Sequence, residues 1–516
     1  MRRLGWLFVA ALALAAPATA QLTLPEPIDA GERALLPEIG GALGSGHATL
    51  AQLDTLLAKL PRPSPLHGAV QLARSVLLTQ ADHYPPAVRA AEEAVRLLPA
   101  WLQPKLLLTY LLTFTGAPQR AADLWLEASR QSPEVARESD LYTLDALAGR
   151  LQEMGDTGRA RLLATRMAEI GFAHQLAPDR SSLAAAQFEQ AAAKDDTDRA
   201  GQALPEVASP TALIGFYVDK RYQPFWPAIQ TQGGPDFGLA QRRYFTLVRD
   251  EWQQAHDFRT AVNYARLLAS VHGYSAVVSL FAGMFTDAQD HLDDPYMWLL
   301  APVVARSFAE TGKPADGRAL LTRLNTVAVS DPGMQLNASG NLANLSFLLQ
   351  RWDEAAREAA DWLKIAAQQG AAINRGSILQ VSALRACALT RSGHGDEAAA
   401  LIGDLLLAQR ALPQPALTLF VCTHDLSKAH ELLVNRLADA DSRGWALQQI
   451  QPKGRSGVLP EEVDEARFLE QVRRDPAVRT AAEQVGRILP SPVANTLPDG
   501  FDPDGGPPAK LTPGSV

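Results

Sequence analysis

Few residues of this chain stand at spacings that perform chemistry. His424 and His430, with Asp425 and Glu431 beside them, come nearest to a metal-ligand cluster. Side chains on a helix meet when three or four residues apart, so two imidazoles at a separation of six do not share a face. They read as solvated or internally bonded histidines, and no metal is expected. The stretch Gly40-Gly41-Ala42-Leu43-Gly44-Ser45-Gly46 has the glycine content of a phosphate loop. It follows no strand and lacks the lysine that would reach a phosphate, so it reads as a break between the first helices. HExxH, P-loop, GxSxG and paired CxxC patterns are absent. The acidic pairs Asp195-Asp196 and Glu461-Glu462 suit solvated loops or helix starts, where negative charge meets the helix dipole. No catalytic residue and no cofactor is expected.

The only cysteines are Cys387 and Cys422. They are either a disulfide, stabilising by about 3–4 kcal/mol through loop closure, or two small buried residues on neighbouring hairpins. Recognition chemistry has a better candidate in Asn337, Asn341 and Asn344, whose spacing of four and three puts three amides on one helical face. Such amides pair with both the donors and the acceptors of an extended peptide backbone. The alternative is capping or solvation, because Asn337 follows the helix-entry residues Asp331-Pro332-Gly333.

The elements that would position these groups are helical. Alanine and leucine abound, and apolar residues recur at three and four, as in Leu53, Leu56, Leu57 and Leu60. A longer pattern is superimposed: Leu108, Leu112, Gly116, Ala121, Trp125, Ala128 and Pro133, followed by Leu147, Ala148, Leu151, Gly155, Ala160 and Ala164. Small residues mark where two helices cross closely, large ones fill the gap to the next pair, and the glycine reverses the chain. Weaker copies run through Leu78–Pro99, Val304–Leu321, Leu342–Trp362, Ala386–Ile402 and Leu419–Leu437.

These residues resemble the tetratricopeptide repeat family over about two thirds of the chain, although the 39 residues from Gly116 to Gly155 exceed the usual ~34. The resemblance implies an all-α, right-handed α-solenoid of helical hairpins in two arrays. It also implies that the first helix of each hairpin lines an inner binding face, with Tyr110, Arg306, Asn344 and Cys387 exposed there. Gly340 stands where some members of the family carry a clamp lysine.

Arg2 and Arg3, the 13-residue apolar run Leu4–Ala16 and the small residues Ala18-Thr19-Ala20 read as a signal peptide at 1–20, cleaved after Ala20. The run falls short of the ~20 residues that span a bilayer. Net charge is −8, becoming −10 once Arg2 and Arg3 are removed, which argues against nucleic acid. At 516 residues and 47% hydrophobic content the chain can bury a large core, and it is too long for one compact domain.

The resulting organisation is an N-terminal array at 21–193, a connection at 194–241, a C-terminal array at 242–450, a short helical cap at 451–489 and a disordered tail at 490–516. The connection is rich in proline and aromatics, from Phe216 to Trp226. Tyr217 and Trp226 there are either a contact surface or residues buried against neighbouring helices, and the second reading is preferred. The expected function is a periplasmic or secreted scaffold or adaptor without catalysis. It would bind protein or peptide partners through Asn337, Asn341, Asn344, Arg306, Tyr110, Tyr217 and Trp226. The alternatives are an enzyme or enzyme accessory acting on the cell wall or a polysaccharide, and a self-assembling structural protein.

Overall fold

The computed structural model describes residues 24–44, 47–60, 63–81, 83–172, 176–286, 288–292, 294–328, 332–369, 373–410, 412–454 and 457–504. The signal segment at 1–20 and residues 505–516 of the tail lie outside these.

One local device closes hairpin after hairpin. A helix ends, one residue takes positive φ, and the next amide bonds back to the carbonyl five residues earlier. Gly116, Gly155, Gly312 and Gly393 supply the positive φ at the four turns that the sequence marks with glycine. The closing bonds, 2.8–3.0 Å long, run from the amides of Ala117, Asp156, Lys313 and His394 to the carbonyls of Leu112, Leu151, Phe308 and Leu389. Gln350 and His424 adopt the same conformation without being glycine, and Arg351 and Asp425 bond to Ser346 and Phe420 in the same way. An aspartate then caps several of the returning helices. Asp156 accepts from the Arg159 amide at 3.1 Å, Asp196 from Arg199 at 3.1 Å, Asp257 from Thr260 at 2.8 Å and Asp425 from Lys428 at 3.0 Å. Each such cap contributes about 1 kcal/mol.

The outcome is an all-α, tetratricopeptide-like stack of hairpins of the α-solenoid type. Among the described residues there is no strand, only an isolated bridge between Asp219 and Gly486. Internal contacts divide the chain into two units, Met1–Phe172 with Gly370–Asn374, and Ala173–Gln369 with Arg375–Val516. The first unit pairs Pro65–Gln80 with Tyr84–Leu97, Gln103–Phe114 with Pro118–Gln131, and Leu141–Glu153 with Thr157–Glu169. Trp125 is fully buried there, edge-on to Phe172, and its indole donates to Ser139 at 3.0 Å. The second unit pairs Gly238–Ala255 with Phe258–Ser270, Pro295–Glu310 with Pro314–Val327, and Pro332–Leu348 with Trp352–Gln369. It continues with Arg375–Arg391 against Gly395–Ala408 and Pro413–Cys422 against Leu426–Ala438.

Several expectations are corrected. The boundary between units falls at Phe172, so helix Ala177–Ala192, assigned from sequence to the first array, belongs to the second unit. The stretch 194–241 is a succession of short helices with its own core, because Phe188, Phe216 and Tyr222 are buried together with Leu213 and Ile229. Its prolines mostly fall in the first turns of helices there, as Pro210 and Pro227 do, in keeping with a residue that lacks the amide a first turn leaves unused. Gly40, Gly41 and Gly44 lie inside helix Ala30–Gly44, so the break inferred there is helical at those residues. The tail is ordered through Asp504: Leu497 and Phe501 pack against the core of the second unit, which gives the segment an apolar anchor that its composition hides. Cys387 and Cys422 form a disulfide with Cα atoms 5.9 Å apart, joining the first helices of two successive hairpins.

Gly317 shows why small residues sit at the crossings. A Cβ there would collide with the carbonyl oxygen of Ala305 on the facing helix, whereas one at Gly403 would meet nothing within 4 Å. Gly317→Ala should destabilise the second unit by about 1–3 kcal/mol, and Gly403→Ala should be neutral or stabilise by up to ~1 kcal/mol. Urea unfolding midpoints of the two variants check this. Equal midpoints would refute the close-crossing account.

Candidate interaction surfaces

Helix Pro332–Leu348 buries Leu336, Leu342, Ala343, Leu345 and Phe347. The same periodicity leaves Asn337 and Asn344 exposed and Asn341 half-buried. None of the three amides makes a hydrogen bond to another described residue. Gly340, within this row, is explained by packing: its Cα faces the Trp362 indole, and a Cβ would come within 2.9 Å of Nε1. That indole donates to the Leu336 carbonyl at 2.9 Å, so the position of the clamp lysine is closed by a tryptophan.

The other sequence candidates are engaged internally. Tyr110, expected to be exposed, is buried, because helix Gln103–Phe114 is covered along Pro104–Thr113 by Tyr84–Leu97, Pro118–Gln131 and Leu141–Glu153. Cys387 is fully buried in the disulfide and offers nothing to a ligand. Tyr217 and Trp226 are half-buried and flank the Arg487 guanidinium, whose carbon lies 4.3 Å and 3.4 Å from the two ring centroids. The Trp226 indole donates to the Phe216 carbonyl at 3.0 Å. Packing against neighbours, the preferred reading of this aromatic stretch, is what these contacts describe. His424 and His430 are not brought together either: one contacts Arg391 at 3.0 Å, the other Asp475 at 3.3 Å.

Arg306 belongs to a charged cluster under the C-terminal cap. Its guanidinium pairs with Glu462 at 2.6 Å, reaches the Tyr274 hydroxyl at 3.2 Å and lies 3.8 Å from Glu310. Glu310 in turn accepts the Val458 amide at 2.7 Å, and a Cβ on Gly457 would strike the carboxylates of both Glu310 and Glu462. Backbone thus closes directly over two acids, a close approach open to glycine. Burial pushes the Glu462 carboxyl up to about 7, opposed by Arg306 and reinforced by a hydrogen bond and charge from Glu310. Burial also raises its neighbour Glu461 to about 7, against the Gln350 amide and Arg391 and together with Asp464 and Glu465. Tyr274 is carried up to about 12 by the same loss of solvent.

Glu462 through Arg306, and Glu310 through the Val458 amide, fasten the segment around residues 457–462 to helix Pro295–Glu310. Glu461 also lies within 4.8 Å of both disulfide sulfurs, yet sulfurs bonded to each other are not thiolate ligands.

Sequence reasoning missed a further set: Gln241, Phe245, Arg249 and Tyr264. These hold the chain's own segment 496–503, and no local pattern announces a partner more than two hundred residues away. Gln241 Nε2 donates to the Thr496 carbonyl at 2.7 Å, Arg249 Nη1 to Asp502 at 3.3 Å and the Tyr264 hydroxyl to Pro503 at 2.8 Å.

Compared with known proteins, the chain matches no protein-family model and no curated protein. Solved structures that match include that of yeast Tom70, at 11% identity and a TM-score of 0.26, covering 81% of this chain and 83% of that one. A likeness that weak leaves the fold to rest on the hairpin geometry itself.

The two glutamates make the cap sensitive to pH. Their folded values stand above the ordinary 4.5, so the stability they contribute is full below that value and is lost as pH rises through about 7. Hydrogen exchange in helix Pro460–Arg474, corrected for intrinsic rates, should therefore show falling protection from pH 5 to pH 8. The Glu461→Gln, Glu462→Gln double variant should respond far less. Identical profiles for the two proteins would sink the assignment.

Proposed function

We propose that this chain is an exported, non-catalytic scaffold or adaptor that holds protein partners or peptides of the cell envelope on its helical-repeat surface. The observation that carries the reading is the amide row. Asn337, Asn341 and Asn344 stand along one face of Pro332–Leu348, two exposed and one half-buried, without hydrogen-bond partners among the described residues. A row of primary amides offers donors and acceptors at a rise that an extended backbone can follow. Export is supported by the signal-like start of the sequence, Arg2-Arg3 and Leu4–Ala16. Among the described residues no helix is long and apolar enough to cross a membrane.

Crosslinking from intact cells tests this reading, with tagged native chain beside an Asn341→Ala, Asn344→Ala variant. The native chain should capture a discrete partner, and the variant should lose most of it while retaining its helical circular dichroism. Equal capture by both would remove the amide row from binding. Mass by light scattering, unchanged across concentration, would exclude self-assembly as the explanation.

A further inference from the structure

Residues 496–504 lie against the second unit without regular secondary structure, and they are held as a bound peptide would be. Three side chains on helices Gly238–Ala255 and Phe258–Ser270 donate to main-chain carbonyls: Gln241 to Thr496, Arg249 to Asp502 and Tyr264 to Pro503. Such bonds read backbone and are indifferent to the sequence that supplies it. Gln241 and Tyr264 are themselves buried, 4% and 0% exposed, so the carbonyls meet polar groups that burial would otherwise leave costly. Specificity comes from two apolar anchors. Leu497 packs on the core, and four residues later Phe501 sits edge-on to Phe245 at 5.3 Å with the Arg249 guanidinium 5.0 Å over its ring. Between the anchors, a turn closed by the Phe501 amide on the Pro498 carbonyl, with Gly500 at positive φ, brings both side chains down together. Asp499, Asp502 and Asp504 flank the anchors and are exposed.

The segment differs from every hairpin in how it is retained. Its bonds span 255, 253 and 239 residues, so no adjoining turn returns it to its place. Outside its anchors the segment faces solvent, with Thr496, Asp499, Gly500, Asp502 and Asp504 exposed.

We propose that the surface formed by Gln241, Phe245, Arg249 and Tyr264 is a binding site for an acid-flanked peptide that turns between a leucine and a phenylalanine four residues apart, and that residues 496–503 occupy it in cis until a partner segment of that chemistry displaces them. The site is separate from the asparagine row and does not depend on it.

The test uses the full chain and a fluorescein-labelled peptide of residues 496–504. Phe501→Ala removes the main anchor of the resident segment and should bind the peptide roughly tenfold or more tightly than the native chain, as loss of a buried aromatic anchor predicts. Adding Arg249→Ala or Tyr264→Phe should abolish the gain, and a peptide carrying alanine for the phenylalanine should not bind. The Asn341→Ala, Asn344→Ala variant in the same background should bind undiminished, which separates this site from the amide row. A folded Phe501→Ala chain that binds no better than native overturns the proposal, as does a concentration-dependent doubling of mass without peptide, which would make a second copy the occupant. Should Phe501→Ala fold poorly, hydrogen exchange on the native chain decides. Amides of Phe501 and Asp504 exchanging far faster than those of Gly238–Ala255 support an exchangeable occupant, and exchange at the rate of global unfolding refutes it.

Discussion

The hairpin turn is the constraint on which the rest of this molecule depends. A helix that buries one stripe must be followed by a partner returning at close range, and the chain has one residue in which to reverse. Positive φ at that residue, with the next amide bonded five residues back, does this without opening the last helical turn. The same geometry recurs at Gly116, Gly155, Gly312, Gln350, Gly393 and His424. Once it is set, small residues at the crossing follow of necessity, as Gly317 against the Ala305 carbonyl shows. Large residues complement them, Trp362 against Gly340 within one hairpin and Trp125 against Phe172 beyond its own. Each hairpin is stable because its neighbours cover it, so stability accumulates along the stack.

This explains which parts of the fold could be read from the sequence. Glycine at a turn reports itself, because other residues adopt positive φ at a cost. The hairpins closed by Gly116, Gly155, Gly312 and Gly393 were therefore legible, with their small and large positions. Gln350 and His424 make the same turn with side chains that give no such signal, and the hairpins they close stood out less. The stretch 194–241 misled for a related reason. Proline reads as an interruption, yet at the first turn of a helix it lacks only an amide that would go unused. Pro210 and Pro227 lie in such first turns, and their helices bury Phe216 and Ile229.

The candidate surfaces divide along the same line. The asparagine spacing could be read because it is a property of one helix. Exposure could not, because it is set by what lies opposite. Tyr110 and Arg306 stand at positions that the repeat logic leaves open; Tyr110 is buried where neighbouring helices cover its own, and Arg306 is claimed by an element outside its hairpin. For Arg306 that element is the cap, through Glu462. Tyr217 and Trp226 are claimed by Arg487, which also bonds backbone to Val218.

The claims on Arg306, Tyr217 and Trp226 all come from residues that follow the last hairpin, Pro413–Cys422 with Leu426–Ala438. Here helix Pro460–Arg474 buries Phe468, Leu469 and Val472 while turning Glu470, Arg473 and Arg474 into ion pairs with one another. Gln451 then ties the following segment down, accepting from the Leu489 amide at 3.0 Å and donating to the Arg487 carbonyl at 3.1 Å. From Gly486 onward the chain no longer adds a repeat; it returns to helices laid down more than two hundred residues earlier. A helix packs by offering a surface of its own. A segment without regular structure does so through backbone groups that other such segments also possess, and that makes its place on Gly238–Ala255 one that can be contested.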